Sequence, residues 1–301
     1  FGWALEFLSS LFGGNFAAAV FFFTLLINVI LIPLSIKSQK SSVQQTRIKP
    51  KLDELKKKYG DDKQKYSEAM QKLYQEENVS MSGGCLPMVL RLVLMMSIYY
   101  LIMSPLTYLL HIDSATVTAA AEALGKNANA RAELQIIEAV RNGTIDFPQI
   151  ASKLSAIDFN FFGIDLTQTP KFSFDIFHDA QPIWVMPIIA FLAQMLTSAL
   201  SLVMQKKLNP DAPNMAGMML TMPLLSLFIG FTLPGGVAFY WACSSLIGGL
   251  IQVGVQQFYG PQKMLSRERL KELNKECDFE ENQLKKIKTN QTLLNGEAAE
   301  K

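Results

Sequence analysis

The sequence predicts an all-α polytopic membrane protein, and three observations lead there. Half of the 301 residues are hydrophobic while only 18% are charged, and the mean hydropathy is +0.19. The apolar residues are gathered into long blocks. The basic residues fall unevenly between those blocks.

A helix that crosses the hydrocarbon core needs about 20 apolar residues. Five blocks reach or approach that length: Asn15–Ile36, Cys85–Leu110, Pro182–Met204, Met218–Leu233 and Gly235–Gln257. The fourth would be roughly 24 Å long as a helix, so it requires a thinned bilayer or a slanted path. Ahead of the first block, FGWALEFLSSLF carries one charge and is closed by Gly13-Gly14. It is too short to span and reads as an outer interfacial helix over 1–14. A frayed lead-in to the first span is the alternative. The chain opens at Phe1 without a methionine, so removal of a signal peptide or of another leading segment is expected.

Orientation follows from the loops. Eleven Lys and Arg lie between the first two blocks, whereas 111–181 holds five basic against nine acidic residues. The positive-inside rule puts 37–84, 205–217 and the tail 258–301 in the cytoplasm, and the N-terminus and 111–181 outside. Within 37–84, Pro50 opens one helix that Gly60 ends, and Asp61 caps the next. The result is an antiparallel hairpin with Leu52, Leu55, Tyr59, Tyr66, Met70 and Leu73 along its seam. Its exposed lysines, Lys56, Lys57 and Lys58 above all, are either a solvated face or a docking surface. In 111–181, TVTAAAEALG, ARAELQIIEAVRNG and FPQIASKLSAI each predict a short helix. The mixed-charge tail is expected to be partly disordered. Cys85 and Cys243 fall in spans and Cys277 in the tail, so no disulfide is expected.

The spans contain no Asp, Glu, Lys or His, and the chain has no P-loop, GxSxG or HExxH. Coupled transport relies on such intramembrane groups, so a transporter or pore is disfavoured. Enzymatic activity, a cofactor and a metal site are not expected. The spans do hold one charge, Arg91, whose central placement costs about 2.5–3.5 kcal/mol and calls for the bundle interior or a wet cavity. It lies seven residues past Gly84, roughly 10 Å from the cytoplasmic end. Snorkelling alone is the competing account. Asn28, nine residues before Lys37, sits roughly 13 Å from the same end. A hydrophilic groove open to the cytoplasm accounts for both. Thr24, Gln194, Ser198 and Ser244 are its further polar candidates, and Ser97, Thr197, Ser201, Ser245 and Gln252 are scattered polar residues of the same spans; each alone is ordinary helix-packing chemistry.

LIPLSIKSQKSS after the first span, GDDKQKYSEAMQKLYQEENVSMSGGCLP into the second, FFGIDLTQTP before the third, TMPLLSLF in the fourth and LPGGVAFYWACSSLIGGLIQ in the fifth resemble the YidC branch of the Oxa-type membrane protein insertases. The resemblance covers roughly Asn15–Gln262. It implies five core helices around a groove open to cytoplasm and lipid and closed outside, inserting nascent membrane proteins without ATP. In bacterial members a groove arginine stands five residues before a Pro-Leu pair; that position here is Asn28. The family's Gln-Met-Pro in the second span is replaced by Arg91, Leu92 and Val93, and its Asn-Pro before the glycines by Ser80-Met81. An exchange of the guanidinium from one groove wall to the other is the expected reading, with Asn28 and Arg91 facing each other. Met95, Tyr99, Tyr240 and Trp241 are the expected slide for a client's apolar segment. The implied setting is the bacterial plasma (inner) membrane. The implied partners are nascent membrane proteins and the lipid bilayer, with the ribosome, the signal recognition particle receptor and the Sec translocon as further candidates and no nucleic-acid specificity. An assembly chaperone or a structural subunit of a larger complex is the alternative.

Overall fold

The structure, a computed structural model, describes residues 1–60, 62–77, 79, 86–127, 130–171, 173, 180–208 and 216–299; side chains are left out at 42, 46, 86–88, 91, 130–131, 205, 207–208, 216, 218, 261–262, 265, 268 and 289–299. It is nearly all helix: α1 (Gly2–Leu11), α2 (Phe16–Ile30), α3 (Ile32–Tyr59), α4 (Lys63–Glu76), α5 (Leu86–Met103), α6 (Pro105–Tyr108), α7 (Ser114–Ala123), α8 (Ala130–Arg141), α9 (Pro148–Leu154), α10 (Val185–Leu208), α11 (Ala216–Gly230), α12 (Gly235–Tyr259) and α13 (Pro261–Ala299). A two-stranded hairpin, β1 (Asn160–Phe161) and β2 (Ile164–Asp165), and a 3-10 turn at Pro182–Trp184 complete it. The chain forms two units, 1–38 with 80–254 and 39–79 with 255–301.

Among the described residues, Pro182–Met204 and Gly235–Tyr259 are long and apolar enough to cross a membrane. Phe16–Ile30 and Ile32–Gln45 qualify together as one broken span, and Leu92–Met103 and Met219–Gly230 are shorter apolar helices. The break after Ile30 precedes Pro33, whose ring removes a helical donor. These helices carry exposed large apolar side chains, among them Leu26, Ile30, Leu92, Leu196, Phe228 and Leu250. Such a surface is at home in lipid.

The tightest packing of the first unit lies where residues 104–168 meet the helix ends. Leu106, Leu109, Ile136, Ile137 and Ile150 are fully buried, and the rings of Phe16 and Phe159 meet at 4.9 Å. Asn15 caps α2 by accepting from the Ala18 amide at 2.8 Å. Asp158 continues that capping on the backbone: its N–H donates to Gly14 and its carbonyl accepts from Phe16. Three helices, α7 to α9, occupy the stretches read as helical in 111–181.

The hairpin was not expected. Phe162 and Gly163 both have positive φ, 49° and 81°, which suits the tight two-residue turn of a right-twisted ribbon. Beyond it the carbonyls of Leu166 and Gln168 accept from the amides of Gly236 and Gly235, each at 2.8 Å. These are among the first amides of α12, which have no partner within their own helix. The FFGIDLTQTP stretch therefore acts as a backbone clamp on α12.

Glu133 of α8 is buried at 5% exposure and accepts from the Thr107 amide (3.1 Å) and hydroxyl (2.7 Å). It caps α6 immediately after the break that follows α5. Lys153 donates to the carbonyls of Leu110 and His111 at 2.6 and 3.2 Å, tying α9 to the same corner.

In the second unit, α3 runs unbroken through Pro50, so that proline does not open a new helix. Pro50 is exposed, on the solvent side of the helix. The cap of α4 is Asp62, which accepts from the Lys65 amide at 3.1 Å; Asp61 lies outside the described residues. Leu73 is buried and the other expected seam residues are half-buried. Lys51 of α3 pairs with Glu77 at the end of α4. The tail forms α13, exposed along its described side chains from Arg267 to Lys288, rather than a disordered segment.

Candidate functional site

Position 91 lies in α5, and its side chain is outside the described residues. Elsewhere on α5, Val89, Leu92, Val93, Met96 and Tyr100 form an exposed stripe, whereas Ile98 and Ile102 are 4% exposed. Whether Asn28 and Arg91 face each other falls outside the described residues.

Asn28 is half-buried and donates through Nδ2 to the Thr24 carbonyl at 2.8 Å. Thr24 is 1% exposed and donates to the Val20 carbonyl at 2.6 Å. Both bonds stay within α2 and follow the one-turn back-bonding pattern. Gln194 instead reaches across to α11, its Oε1 accepting from the Ser226 hydroxyl at 2.8 Å.

Ser198 and Ser244 do come together. They line one cleft of about 230 Å³ with Thr197, Ser201, Ser245 and Gln252, between α10, α12 and Met219 of α11. On both helices the polar and small residues recur at three- and four-residue intervals, which gathers them on one face. Gly249 lets the helices approach closely: a Cβ there would stand 2.4 Å from Thr197 Cγ2. Asn28, Thr24 and Gln194 do not line this cleft. The sequence showed Thr197, Ser201, Ser245 and Gln252 as scattered polar residues; their shared face is what the three-to-four spacing encodes.

The expected slide residues divide. Met95, Tyr99 and Trp241 are partly buried against the core, and the Tyr99 and Tyr100 rings meet edge-on at 5.6 Å. Tyr240 is 6% exposed and belongs to the core itself. Its burial makes it a packing residue rather than a lipid-side contact. Lys56, Lys57 and Lys58 are exposed in the last turn of α3, where cations also complement the helix dipole. The Lys58 Nζ lies 5.1 Å from the Tyr59 ring centre. No group of three His, Cys, Asp or Glu side chains arranged for a metal occurs among the described residues.

Comparison with known proteins gives the frame for these placements. Residues 7–263 match the model of the family described as 60Kd inner membrane protein. The membrane protein insertase YidC 2 of Listeria innocua is 26% identical over 255 residues, covering 83% of this chain and 66% of that protein. The YidC insertase of Fusobacterium nucleatum is 25% identical over 240 residues, 79% of this chain and 85% of the relative. That of Dechloromonas aromatica is 26% identical over 247 residues but only 33% of its length. The chain thus spans just under two thirds of the Listeria relative. With most of its length matched by one family model, the chain belongs to the 60Kd inner membrane protein family, the YidC and Oxa family of membrane insertases.

Proposed function

We propose that this protein is a membrane protein insertase that passes nascent transmembrane segments from the cytoplasm into the bilayer through a hydrophilic groove, without chemical catalysis and without ATP. The observation that carries the reading is the hydroxyl- and amide-lined cleft of Ser198, Ser201, Ser244, Ser245 and Gln252 inside a set of otherwise apolar helices. A polar cleft in such a place serves a polar guest. Family membership and the curated insertases that the chain resembles support the same conclusion.

The mechanism follows from elementary electrostatics. A client's polar tail keeps much of its hydration in a wet cleft. Arg91 attracts the tail's carboxylates, and the attraction strengthens as the local dielectric falls. The client's apolar segment moves along the lipid-facing stripes of the helices and partitions into the bilayer. Five spans, an outer N-terminus and a cytoplasmic tail in a bacterial inner membrane complete the arrangement. The hairpin lysines then face the ribosome, the signal recognition particle receptor or the Sec translocon.

The test is insertion of a single-span client with an acidic outer tail into proteoliposomes, comparing the parent, Arg91→Ala, and Asn28→Arg combined with Arg91→Gln. Loss in the alanine variant and recovery in the double variant is the expected result. Undiminished insertion by Arg91→Ala would sink the electrostatic mechanism and leave apolar partitioning alone.

A further inference from the structure

A second, larger cavity of about 950 Å³ lies in the first unit, between α8, the segment following the hairpin, and the ends of the long helices. Its lining is polar and close to neutral. Five carboxamides, those of Gln135, Asn142, Asn160, Gln168 and Gln181, line it with Thr169; of these, the Gln135 oxygen already accepts from Lys126 and the Asn160 nitrogen donates to Asp158. Of its charged residues, Glu138 and Lys171 are opposite in sign, and Arg141 is already paired with Asp165 at 2.8 Å. Such a wall selects neither an anion nor a cation.

A carboxamide offers both donor and acceptor. That is also what each residue of an extended backbone presents. The volume lies at the upper end of the range for specific ligand sites. A glycan is the other neutral, hydrogen-bonding guest, but no aromatic face for a sugar ring occurs among the described lining residues.

Location narrows the guest further. Met103 ends α5, Pro182 and Ile183 precede α10, and Thr232 and Pro234 form the turn between α11 and α12; all five reach the cavity. A polypeptide leaving the bundle at this end would meet the cavity first. We infer that this cavity receives the neutral polar stretch of a client polypeptide that has already crossed, and holds its backbone against slipping back. The inference rests on the insertase reading and gives α8 and the hairpin with the segment after it, 130–171, a part in the same cycle.

Photo-crosslinking in proteoliposomes tests it with the full chain. Benzoylphenylalanine replaces Thr169 in the cavity or, as control, the exposed Thr118 of α7. Illumination during insertion of a client with a neutral polar tail is expected to give adducts on the tail from position 169 and none from 118. Two variants probe the cavity: Asn142→Trp fills it, and Gln181→Ala removes one polar group. Each is expected to lower insertion of the tail-bearing client about fivefold, the equivalent of about one net hydrogen bond. A client truncated to a minimal tail should insert as with the parent.

Equal adducts from both positions, no adduct while the client inserts, a non-peptide adduct at 169, or equal slowing of both clients by both variants would each overturn the inference. A parent protein that inserts neither client refutes the insertase reading itself, a distinct result from insertion without adducts.

Discussion

Glu77 and Glu133 occupy opposite environments and respond to acid in opposite directions. Glu77 accepts a hydrogen bond from the Lys51 ammonium, which holds its carboxyl below the ordinary value of 4.5. Its contribution to the hairpin is present above 4.5 and is lost as pH falls through the lower folded value. Burial dominates at Glu133 and raises its carboxyl above 4.5, although the Thr107 hydroxyl and amide pull the other way. The folded state therefore holds a proton that the unfolded chain releases. Stability from this site is complete below 4.5 and declines as pH rises through the folded value. Glu133→Gln should flatten that part of the profile of thermal midpoint against pH in detergent, while leaving the acid-side loss at the hairpin intact. Glu133→Ala leaves the Thr107 donors unmet and should cost about 1–3 kcal/mol at every pH. A profile unchanged by Glu133→Gln would mean the carboxyl titrates as it does in water. Gly14 gives a second test at this scale. Its φ is +87°, and a Cβ there would lie 2.5 Å from the Ala156 carbonyl oxygen. Gly14→Ala should lower stability by about 1–3 kcal/mol, read as a drop in the same midpoint.

At the scale of elements, the pairing of α10 with α12 depends on the contact between Gly249 and Thr197. Gly249→Leu drives a side chain into that contact and should lower both the thermal midpoint and insertion. Gly254→Leu, where nothing lies within 4 Å of a Cβ, should change neither. Equal tolerance of the two would show that α10 and α12 do not need close approach. The helices themselves were legible because long apolar blocks and Gly or Pro breakers mark α10, α12 and α7 to α9 directly. The hairpin was not, because two-residue strands are too short to show a period. The tail misled for another reason. Its mixed charge reads as solvated chain, yet Glu268 with Lys271, Glu272 with Lys275 and Glu281 with Lys285 stand at helical spacing, and no Gly or Pro interrupts 262–295. In the cleft, the common face of Ser198 with Ser201 and of Ser244 with Gln252 was readable from spacing. The bond from Ser226 to Gln194 was not, because it depends on how two helices are rotated against each other.

The insertase function proposed above sets the whole molecule two demands that oppose each other: a polar interior that admits a client, and a membrane that stays sealed between clients. The polar cleft answers the first. The dense packing of Phe16, Leu106, Ile136, Phe159 and Val237, together with the backbone clamp on α12, answers the second at the other end of the bundle. Asp165 is the hub of that clamp. Its Oδ1 accepts from the amide and hydroxyl of Thr167 at 2.9 and 2.7 Å, and its Oδ2 from Arg141 at 2.8 Å. These bonds hold the segment whose neighbouring carbonyls, Leu166 and Gln168, cap α12. Asp165→Ala should therefore loosen the start of α12 and raise passive ion leak across proteoliposomes, with a stability loss of about 1–3 kcal/mol. Asp165→Asn keeps an acceptor for Thr167 and should leak less than the alanine variant; Thr118→Ala, on the outer face of α7, should not leak at all. If Asp165→Ala lowers stability but leaves the membrane as tight as the parent does, apolar packing alone forms the seal. The clamp would then serve only to position α12 beside the cleft.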